Sequence, residues 1–399
     1  MVEDDLVVVG GGPAGMMAGL LFARAGCKVR VLEKHADFFR DFRGDTVHPS
    51  TMEILDQLGM LERFLERPHN RVDSAQLRIA GREWAIGDLS HLNTPAPFIA
   101  MMPQWEFLDF LRVEAKAFPG FRLEMEAPVA GFVEEDGRVA GVRLADGGTR
   151  TARLVIAADG RSSIARSMLP LEDLGAPMDV FWFRIARKEG EPGGLRGNVE
   201  PGRLLVMIDR GDYWQCAFLI PKGAAADYQA RGIDAIREEV KAAAPDYLDL
   251  AELDEISDLH LLTVKLDRLR RWHRPGLLAI GDAAHAMSPI GGIGINLAIQ
   301  DAVAAANLLA APLCGGTDVD RLLSLVEKRR LWPTRVVQAG QKAAQDRVIG
   351  RLLAARRPFR TAPAVIRLLD RFPLLRRIPG RIIGLGVRRE RVRSPVASA

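Results

Sequence analysis

Residues 281–296, which read GDAAHAMSPIGGIGIN, combine residue types that can bind a polar chain and a flat ring at one place. Asp282 ends a predicted apolar strand, and the stretch contains four glycines ahead of a long predicted helix. A carboxylate at a strand end can accept hydrogen bonds from the hydroxyls of a ribityl chain. Glycines let backbone N–H groups and the positive end of the helix dipole approach a heterocycle. Because reduced flavin carries negative charge at one edge, the stretch predicts a flavin site.

A second glycine motif, GGGPAG, occupies residues 10–15. Gly10, Gly12 and Gly15 directly follow an apolar strand and open a helix with the spacing G-x-G-x-x-G. Such glycines permit a tight turn and let the backbone approach a pyrophosphate at the helix N-terminus. Glu33 ends the next strand about 20 residues further on, where a carboxylate can bind ribose hydroxyls. A purely structural turn is the alternative, but together these features favour an adenine dinucleotide and, with the flavin motif, predict FAD.

The predicted elements that position these motifs belong to the α/β class. A strand, glycine turn, helix and strand in residues 6–34 form a βαβ unit with a parallel sheet behind it. Alternating apolar and polar residues over 174–262 predict an antiparallel sheet with an attached helix at 233–244. We expect a Rossmann-like FAD-binding domain interleaved with an antiparallel-sheet substrate domain, then a C-terminal helical segment. The predicted FAD-binding domain comprises residues 1–71, 98–173 and 263–340, the substrate domain 72–97 and 174–262, and the basic helical region 341–399.

Composition restricts the class of partner. The 399 residues are 48% hydrophobic, enough for a large core. The net charge of +4 is uneven, because residues 351–393 hold 13 arginines and two acidic residues, a local charge of +11. The rest of the chain is mildly acidic, so a nucleic-acid partner is not expected. Cys27, Cys216 and Cys314 have no metal spacing, and without an export signal before the first strand we expect reduced thiols in a cytoplasmic protein.

Three motifs, taken in order, resemble those of the flavin-dependent aromatic hydroxylases, the class of p-hydroxybenzoate hydroxylase and the ubiquinone-pathway hydroxylases. Residues 10–15 resemble the first fingerprint, AADGRSS at 157–163 resembles the Asp-Gly motif, and 281–296 resemble the Gly-Asp motif. The resemblance covers nearly the whole chain. One departure is Ile293, where the family often has glutamine between two glycines. Backbone contacts survive that change, but a side-chain role for the glutamine is lost.

The resemblance also implies which residues bind FAD. It places Arg43 beside the flavin, Gln104 within reach of FAD, and the backbone of Val129 at the adenine, while Asp159 and Gly160 handle both FAD and nicotinamide. The full predicted cofactor-binding set is Gly10, Gly12, Pro13, Ala14, Gly15, Glu33, Lys34, Arg43, Gln104, Val129, Asp159, Gly160, Gly281, Asp282, Pro289, Gly292, Ile293, Gly294, Ile295 and Asn296. No metal site is predicted.

The chemistry that the resemblance implies is a monooxygenation. NADPH or NADH reduces FAD, O₂ adds at C4a, and the hydroperoxide transfers oxygen to an aromatic or other electron-rich, apolar ring. The cofactor carries this chemistry, which explains why the sequence shows no catalytic triad and why we name no catalytic residue. The protein must exclude water, orient the ring and let the flavin move to meet the nicotinamide.

Other functions remain open from the sequence. An FAD-linked reductase or dehydrogenase of a lipophilic substrate shares the same three motifs. A flavin-binding protein without turnover is a second alternative, against which Asp159, Gly160 and Asp282 argue mildly. A flavin halogenase is disfavoured, because FWFRIA at 181–186 does not supply the expected Gly-Trp-x-Trp-x-Ile-Pro segment.

Several side chains have no predicted catalytic role. His48 and His285 are expected to cap or pack within their motifs, and Asp45 is unassigned. Four aromatic residues on alternating strands fit either an aromatic pocket or ordinary sheet packing: Phe181, Trp182, Tyr213 and Trp214.

The C-terminal region alternates apolar residues with arginines, and Pro373 and Pro379 are predicted to break any single long helix. Short basic amphipathic helices can lie on an anionic membrane, whereas packing onto the acidic body of the protein is the alternative. We expect a cytoplasmic monomer or homodimer that acts on a small aromatic molecule and O₂, with a peripheral membrane contact through this region left open.

Overall fold

The computed structural model describes residues 2–39 and 46–397. Arg43 and Asp45 of the sequence predictions lie outside the described residues. The chain forms two large sheets and two small ones, with helices packed around them, and the predicted α/β class is confirmed.

The strands and helices are labelled here in chain order. The strands are β1 (Asp4–Val9), β2 (Val29–Leu32), β3 (Thr46–Val47), β4 (Asn70–Val72), β5 (Ser74–Ile79), β6 (Arg82–Asp88), β7 (Ile99–Met101), β8 (Phe121–Glu124), β9 (Val129–Glu135), β10 (Arg138–Leu144), β11 (Thr149–Ala157), β12 (Leu171–Asp173), β13 (Met178–Ala186), β14 (Leu195–Glu200), β15 (Arg203–Asp209), β16 (Tyr213–Pro221), β17 (His260–Leu262), β18 (Asp267–Leu269), β19 (His273–Arg274), β20 (Leu277–Ala279) and β21 (His285–Ala286). The helices are α1 (Pro13–Arg24), α2 (Pro49–Gln57), α3 (Leu61–Leu65), α4 (Gln104–Ala115), α5 (Ala225–Ala230), α6 (Ile233–Lys241), α7 (Gly294–Cys314), α8 (Asp320–Ala344), α9 (Gly350–Leu353), α10 (Ala364–Arg371) and α11 (Pro373–Leu385).

The first large sheet is the Rossmann-like part of the fold. Its path is β19-β20-β11-β1-β2-β8, with every neighbour from β20 to β8 parallel and the hairpin β9–β10 attached to β11. Leu6, Val7 and Val8 of the central strand are wholly buried, as expected for a parallel strand covered on both faces. Because parallel strands need crossover connections, the loops after β1 and β20 come to the same edge of this sheet.

The second large sheet is built from two distant parts of the chain. Its order is β17-β13-β16-β15-β14-β5-β6, antiparallel except where β14 pairs with β5. Alternation along β13 places Phe181 and Phe183 in one core, which Ile236 of α6 closes. Trp182 lies on the opposite face and contacts the two clusters that the C-terminal region completes. We refer to this second face as the inner face of the sheet.

The C-terminal region is partly helical, and it is an integral part of the fold. α10 and α11 pack on β6, and a single π-helical turn, Gln345–Ile349, joins α8 to α9. Pro373 begins α11, but Pro379 lies inside it, so the predicted break occurs at the first proline and not at the second. The prediction that helices continue to the C-terminus is wrong for residues 386–397, which run as an irregular segment.

This irregular segment is tied down by a buried carboxylate. Glu390 is 1% exposed and accepts from the guanidinium group of Arg329 at 2.7 Å and from Arg330 Nη1 at 3.4 Å. The side-chain oxygen of Asn307 accepts from the N–H groups of Arg393 and Ser394. The end of the chain is therefore fixed to α7 and α8 by charge and hydrogen bonds.

The expectation of three reduced cysteines is wrong in this structure. Cys27, just after α1, and Cys314, at the end of α7, form a disulfide across a Cα–Cα distance of 4.8 Å. They are 287 residues apart in sequence, so their spacing gave no signal. Cys216 is a buried free thiol, and burial raises its pKa.

Among the described residues, one helical stretch, Ile290–Cys314, is long and apolar enough to cross a membrane by length and composition. Its most apolar window is 72% buried inside the fold. It contains α7, which packs between α1 and α8, so the apolar composition serves the protein core.

We predict that Glu390→Gln lowers the free energy of unfolding by about 3 kcal/mol, because Arg330 loses one of its buried counter-charges. The measurement is urea unfolding of the FAD-loaded protein. Asp249→Asn is the matched control: it removes the partner of Lys188 in an exposed ion pair and should leave the unfolding curve unchanged. Identical curves for both variants would contradict a structural role for the C-terminal segment.

Candidate functional site

The turn from β1 into α1 is shaped to receive a pyrophosphate. Gly10 has a φ of +103°, and a Cβ there would lie 2.5 Å from the carbonyl oxygen of Ala158. A Cβ on Gly15 would collide with the carbonyl oxygen of Gly10. Gly12 caps α1 without a side-chain hydrogen bond, the first turn carries no acid, and open space surrounds its Cα. The first N–H groups of α1 are thus free to bind an anion.

Glu33 fastens this turn from the end of β2. Its side chain is 3% exposed, Oε2 accepts from the N–H of Gly11 at 2.8 Å, and Oε1 accepts from the N–H of His35 at 3.1 Å. Its carbonyl oxygen accepts from the N–H of Ala127 at 2.9 Å, which brings the start of β9 at Val129 to the same edge. Lys34 follows and is exposed.

The Asp-Gly and Gly-Asp motifs meet next to the turn. The short helical turns Gly160–Ser162 and Gly281–Ala283 are in contact. The carboxylate of Asp282 is 33% exposed and accepts from Arg161 Nε at 3.0 Å. Asp159 Oδ2 accepts from the N–H of Ile164, whereas its Oδ1 is buried without a hydrogen-bond partner among the described residues. Burial raises the pKa of Asp159.

A buried carboxylate on α7 fixes the Gly-Asp motif from below. Asp301 is fully buried and accepts from the N–H of Gly281 at 3.1 Å, from His285 Nε2 at 2.6 Å and from Arg330 Nε at 2.8 Å. Burial alone would raise its pKa, but His285 and Arg330 hold the pKa of Asp301 below its ordinary value. A Cβ on Gly281 would lie 3.0 Å from that of Ala14, so the two glycine motifs touch.

The glycine loop before α7 is held by a fully used amide side chain. Gly292 has a φ of +60°, and its carbonyl oxygen accepts from Thr46 Oγ1 at 2.9 Å. Asn296 Nδ2 donates to the carbonyl oxygens of Thr46 and Gly292, and its Oδ1 accepts from the N–H of His48 and from Thr51 Oγ1. Both ends of this amide are hydrogen-bonded within the protein. We therefore expect Asn296 to support FAD binding by holding the backbone of the loop in place.

The other predicted contacts lie on the same loop or beside it. Pro289 precedes the turn Ile290–Gly292, and Gly294 opens α7 without a side-chain cap or an acid in the first turn. Ile293 is buried against α8, so its backbone is the part that can face a ligand, whereas Ile295 is partly buried and packs on the core of the first sheet. Gln104 opens α4, directly after β7, which pairs with β3.

Two residues that sequence analysis missed support Asp282. Arg161 follows Gly160 directly, and its side chain reaches Asp282 across 121 positions. Asp301 is the single acid in the otherwise apolar sequence of α7, a signal that could have marked it as a buried partner. Among the described residues, no group of His, Cys, Asp or Glu could hold a metal ion.

These features fit FAD. Two uncapped helix N-termini lie beside glycine loops, Asp282 is accessible to hydroxyl groups, and one buried oxygen of Asp159 lacks a donor. An orphan acceptor of this kind is rare unless a ligand or water completes it. The pyrophosphate, the ribityl chain and the flavin ring would thus each meet groups of matching chemistry.

Comparison with known proteins agrees with the site. Residues 3–340 match the family described as FAD binding domain. A 6-methylpretetramide 4-monooxygenase of Streptomyces rimosus is 35% identical over 404 residues, covering 98% of this chain and 94% of that protein. A para-nitrophenol 4-monooxygenase of a Pseudomonas species is 25% identical, covering 80% and 81% respectively. The fold is shared with the crystal structure of a p-nitrophenol 4-monooxygenase from Pseudomonas putida, at 19% identity and a TM-score of 0.74, covering 97% of this chain and 99% of that one.

Fold and site therefore define an FAD-dependent enzyme. The chain belongs to the family of FAD-dependent aromatic monooxygenases, which hydroxylate an aromatic ring with NAD(P)H and O₂. The family, the cofactor and the enzyme class predicted from the sequence are confirmed.

We predict that Asp282→Ala weakens FAD binding by about tenfold to a hundredfold, since a charged acceptor for hydroxyl groups is worth roughly 1.5–3 kcal/mol. Glu33→Ala should weaken it less, because the pyrophosphate contacts of α1 remain. Fluorescence titration of the apoprotein with FAD measures both affinities. Asp227→Ala, on the exposed start of α5, is the control. A larger loss at Glu33 than at Asp282 would reverse this order.

We also predict acid sensitivity from His48. Burial lowers its pKa to about 4, despite the contact between its Nδ1 and the carbonyl oxygen of Ile383. As the pH falls, the unfolded chain therefore takes up a proton at this histidine before the folded protein does. The stability that is present above about pH 6.5 is lost as the pH falls toward 4. Urea unfolding should show about 2–3 kcal/mol of this loss between about pH 7 and pH 4.5. His48→Gln should flatten the profile and His69→Gln should not; equal slopes would refute the assignment.

Proposed function

We propose that this monooxygenase hydroxylates an extended, apolar aromatic compound that carries a phenol-type oxygen. The observation that carries the proposal is the apolar cluster around Trp182 on the inner face of the second sheet, where the indole N–H group has no hydrogen-bond partner among the described residues. The relative in Streptomyces rimosus, whose name gives 6-methylpretetramide as its substrate, supports a large aromatic molecule.

Among the four aromatic residues left open by the sequence, Trp182 is the one that packs on the apolar clusters of this face. Phe181 and Trp214 are fully buried in the core beneath α6 on the other face, and Tyr213 stacks under Arg184. Trp182 is partly exposed and packs against two apolar clusters, as Val206 also does. Of the four aromatic residues left open by the sequence, Trp182 is therefore the one we assign to the substrate.

The indole of Trp182 provides both stacking area and direction. Its Nε1 is buried and makes no hydrogen bond within the described part of the chain. Leaving such a donor unpaired costs about 1–3 kcal/mol, which a substrate oxygen would return on binding. The ring itself favours a flat aromatic partner. One group can thus fix which edge of the substrate faces the glycine loop before α7, which we call the flavin loop.

The roles of the other residues follow from position. FAD, when bound, supplies the redox chemistry with NAD(P)H and O₂. The N-terminus of α1 binds the pyrophosphate, Asp282 binds the ribityl hydroxyls, and the N-terminus of α7 places partial positive charge at the flavin ring. The apolar inner face excludes water from the reacting ring. Arg161 and Asp301 act by positioning Asp282 and its loop.

We also propose the domain boundaries and the full set of FAD contacts that the sequence predicts. The protein is further proposed to be cytoplasmic and to be a monomer or homodimer. Under this proposal, the FAD-binding domain and the sheet domain meet at the flavin loop, with the substrate between them.

The test is a comparison of NAD(P)H oxidation with and without phenolic multi-ring compounds under O₂. Substrate-stimulated oxidation with an oxygenated product is expected. Reduction of the same compound without O₂ would instead indicate the reductase alternative.

We predict that Trp182→Phe raises KM about tenfold and increases the fraction of NAD(P)H consumed without product, because the substrate loses a directed hydrogen bond worth about 1.4 kcal/mol. FAD affinity should not change. Tyr213→Phe, which removes a polar group elsewhere on the sheet, is the control. Unchanged KM and coupling in Trp182→Phe would place the substrate elsewhere.

A further inference from the structure

Helices α10 and α11 turn their apolar faces outward. Ile366 is the buried residue of α10, and α11 buries two glycines and Leu385. By contrast, Leu374 is 68% exposed, Ile378 57% and Ile382 48%. A helix on the surface of a globular protein normally buries this face, so the arrangement calls for a covering partner.

The exposed residues form one surface. Leu374, Ile378 and Ile382 repeat every four positions and therefore share one side of α11. On α10, Val365, Leu368 and Phe372 at its C-terminal end follow the spacing i, i+3, i+7. We call these six residues the outer face.

Four exposed arginines flank the outer face, and one of them, Arg377, interacts electrostatically with Asp88 without an ion pair at contact distance. Arg367, Arg371, Arg377 and Arg381 are exposed, and in the described part of the chain none forms an ion pair. Asp370 is the sole acid between residues 351 and 389 in the sequence, and Arg82 and Arg376 already pair with it. The outer face is thus apolar with a positively charged margin.

The two helices are held firmly in this orientation. Asp370 Oδ1 accepts from the N–H of Ala85 at 3.2 Å, and Gly380 packs directly on the backbone of Asp88 in β6. The outward apolar side is therefore a fixed feature of the fold.

We propose that the outer face docks on an anionic membrane, with the apolar residues in the acyl boundary and the arginines at the phosphate groups. Helices of this composition lie in the plane of the membrane interface, where burial of the apolar side and attraction to anionic lipids both favour binding. A second copy fits less well, because two such surfaces would bring unpaired arginines together. A nucleic acid would leave the six apolar side chains uncovered.

The inner side of α11 reaches the candidate site. The carbonyl oxygen of Ile383 contacts His48 Nδ1 at 2.8 Å, and Ile383 Cγ1 lies 3.8 Å from the Cβ position of Gly291. Leu385 joins the cluster that Trp182 also contacts. One helix therefore borders the flavin loop on one side and the membrane on the other. Delivery of a lipophilic substrate along it rests on the proposed function, whereas docking itself does not.

The experiment is co-sedimentation of the FAD-loaded protein with phosphatidylcholine vesicles, with and without a quarter of phosphatidylglycerol. We expect binding to the anionic vesicles at about 0.1 M salt and release at about 1 M salt. Leu374→Ser with Ile378→Ser should abolish it. Arg377→Gln with Arg381→Gln should weaken it about 25-fold, at about fivefold per arginine.

Matched controls change the same residue types elsewhere. Val113→Ser with Leu171→Ser removes two exposed apolar side chains, and Lys116→Gln with Arg122→Gln removes two exposed charges. Both should bind like the wild type. The FAD absorbance spectrum and the unfolding midpoint of every variant show whether that variant is folded. These two measurements and the vesicle binding are all independent of turnover.

Three results would overturn the proposal. The first is absence of the wild-type protein from the anionic vesicle pellet. The second is equal binding by the outer-face variants and their controls. The third is a dimer in sedimentation equilibrium that Leu374→Ser with Ile378→Ser dissociates while no vesicle binding is seen, which would make the outer face a contact between copies.

Discussion

The carboxylate of Asp301 is the group on which the flavin side of this structure depends. It lies in the middle of α7, where hydration is impossible, and three donors from different parts of the chain satisfy it: Gly281, His285 and Arg330. A buried charge is tolerated only with such complete pairing. Arg330 also pairs with Glu390, so the irregular segment 386–397 becomes part of the same network. The carboxylates of Asp301 and Glu390 and the guanidinium groups of Arg329 and Arg330 balance each other there.

This arrangement explains why the site is made largely of backbone. The Gly-Asp motif and the turn from β1 into α1 come within van der Waals distance at Gly281 and Ala14, which leaves no room for side chains between them. Recognition must then come from N–H groups, helix dipoles and a few carboxylates. Asn296 illustrates the same logic, because its amide is consumed in holding the loop that carries those N–H groups. A mutation in such a support can damage cofactor binding without touching the cofactor.

The α/β class, the turn at the first glycine motif and the positions of Glu33 and Asp282 after strands could be read from the sequence, because each depends on local spacing. Glycines at positive φ and a strand-turn-helix order are short-range features. The roles of Arg161 and Glu390 could not, since each depends on a partner far away in the sequence. Asp301 carried a signal of burial as the single acid of α7, but its partners could not be predicted from that signal. Cys27 and Cys314 were misjudged for the same reason. The position of Trp182 could not be predicted either, because the sheet register decides which face each of the four aromatic residues occupies.

The sequence alone presents packing and surface exposure of the C-terminal region as alternatives, and the structure shows both. Its arginines and apolar residues could serve either the body of the protein or an external surface. The structure divides them along the chain: residues 386–397 pair with α7 and α8, while α10 and α11 keep Leu374, Ile378 and Ile382 in solvent. α11 also contacts His48 and the inner-face cluster, so its inner side is part of the wall of the candidate site while its outer side faces solvent. If the outer face docks on lipid as proposed, an apolar ring passes along that wall between two apolar surroundings without crossing water.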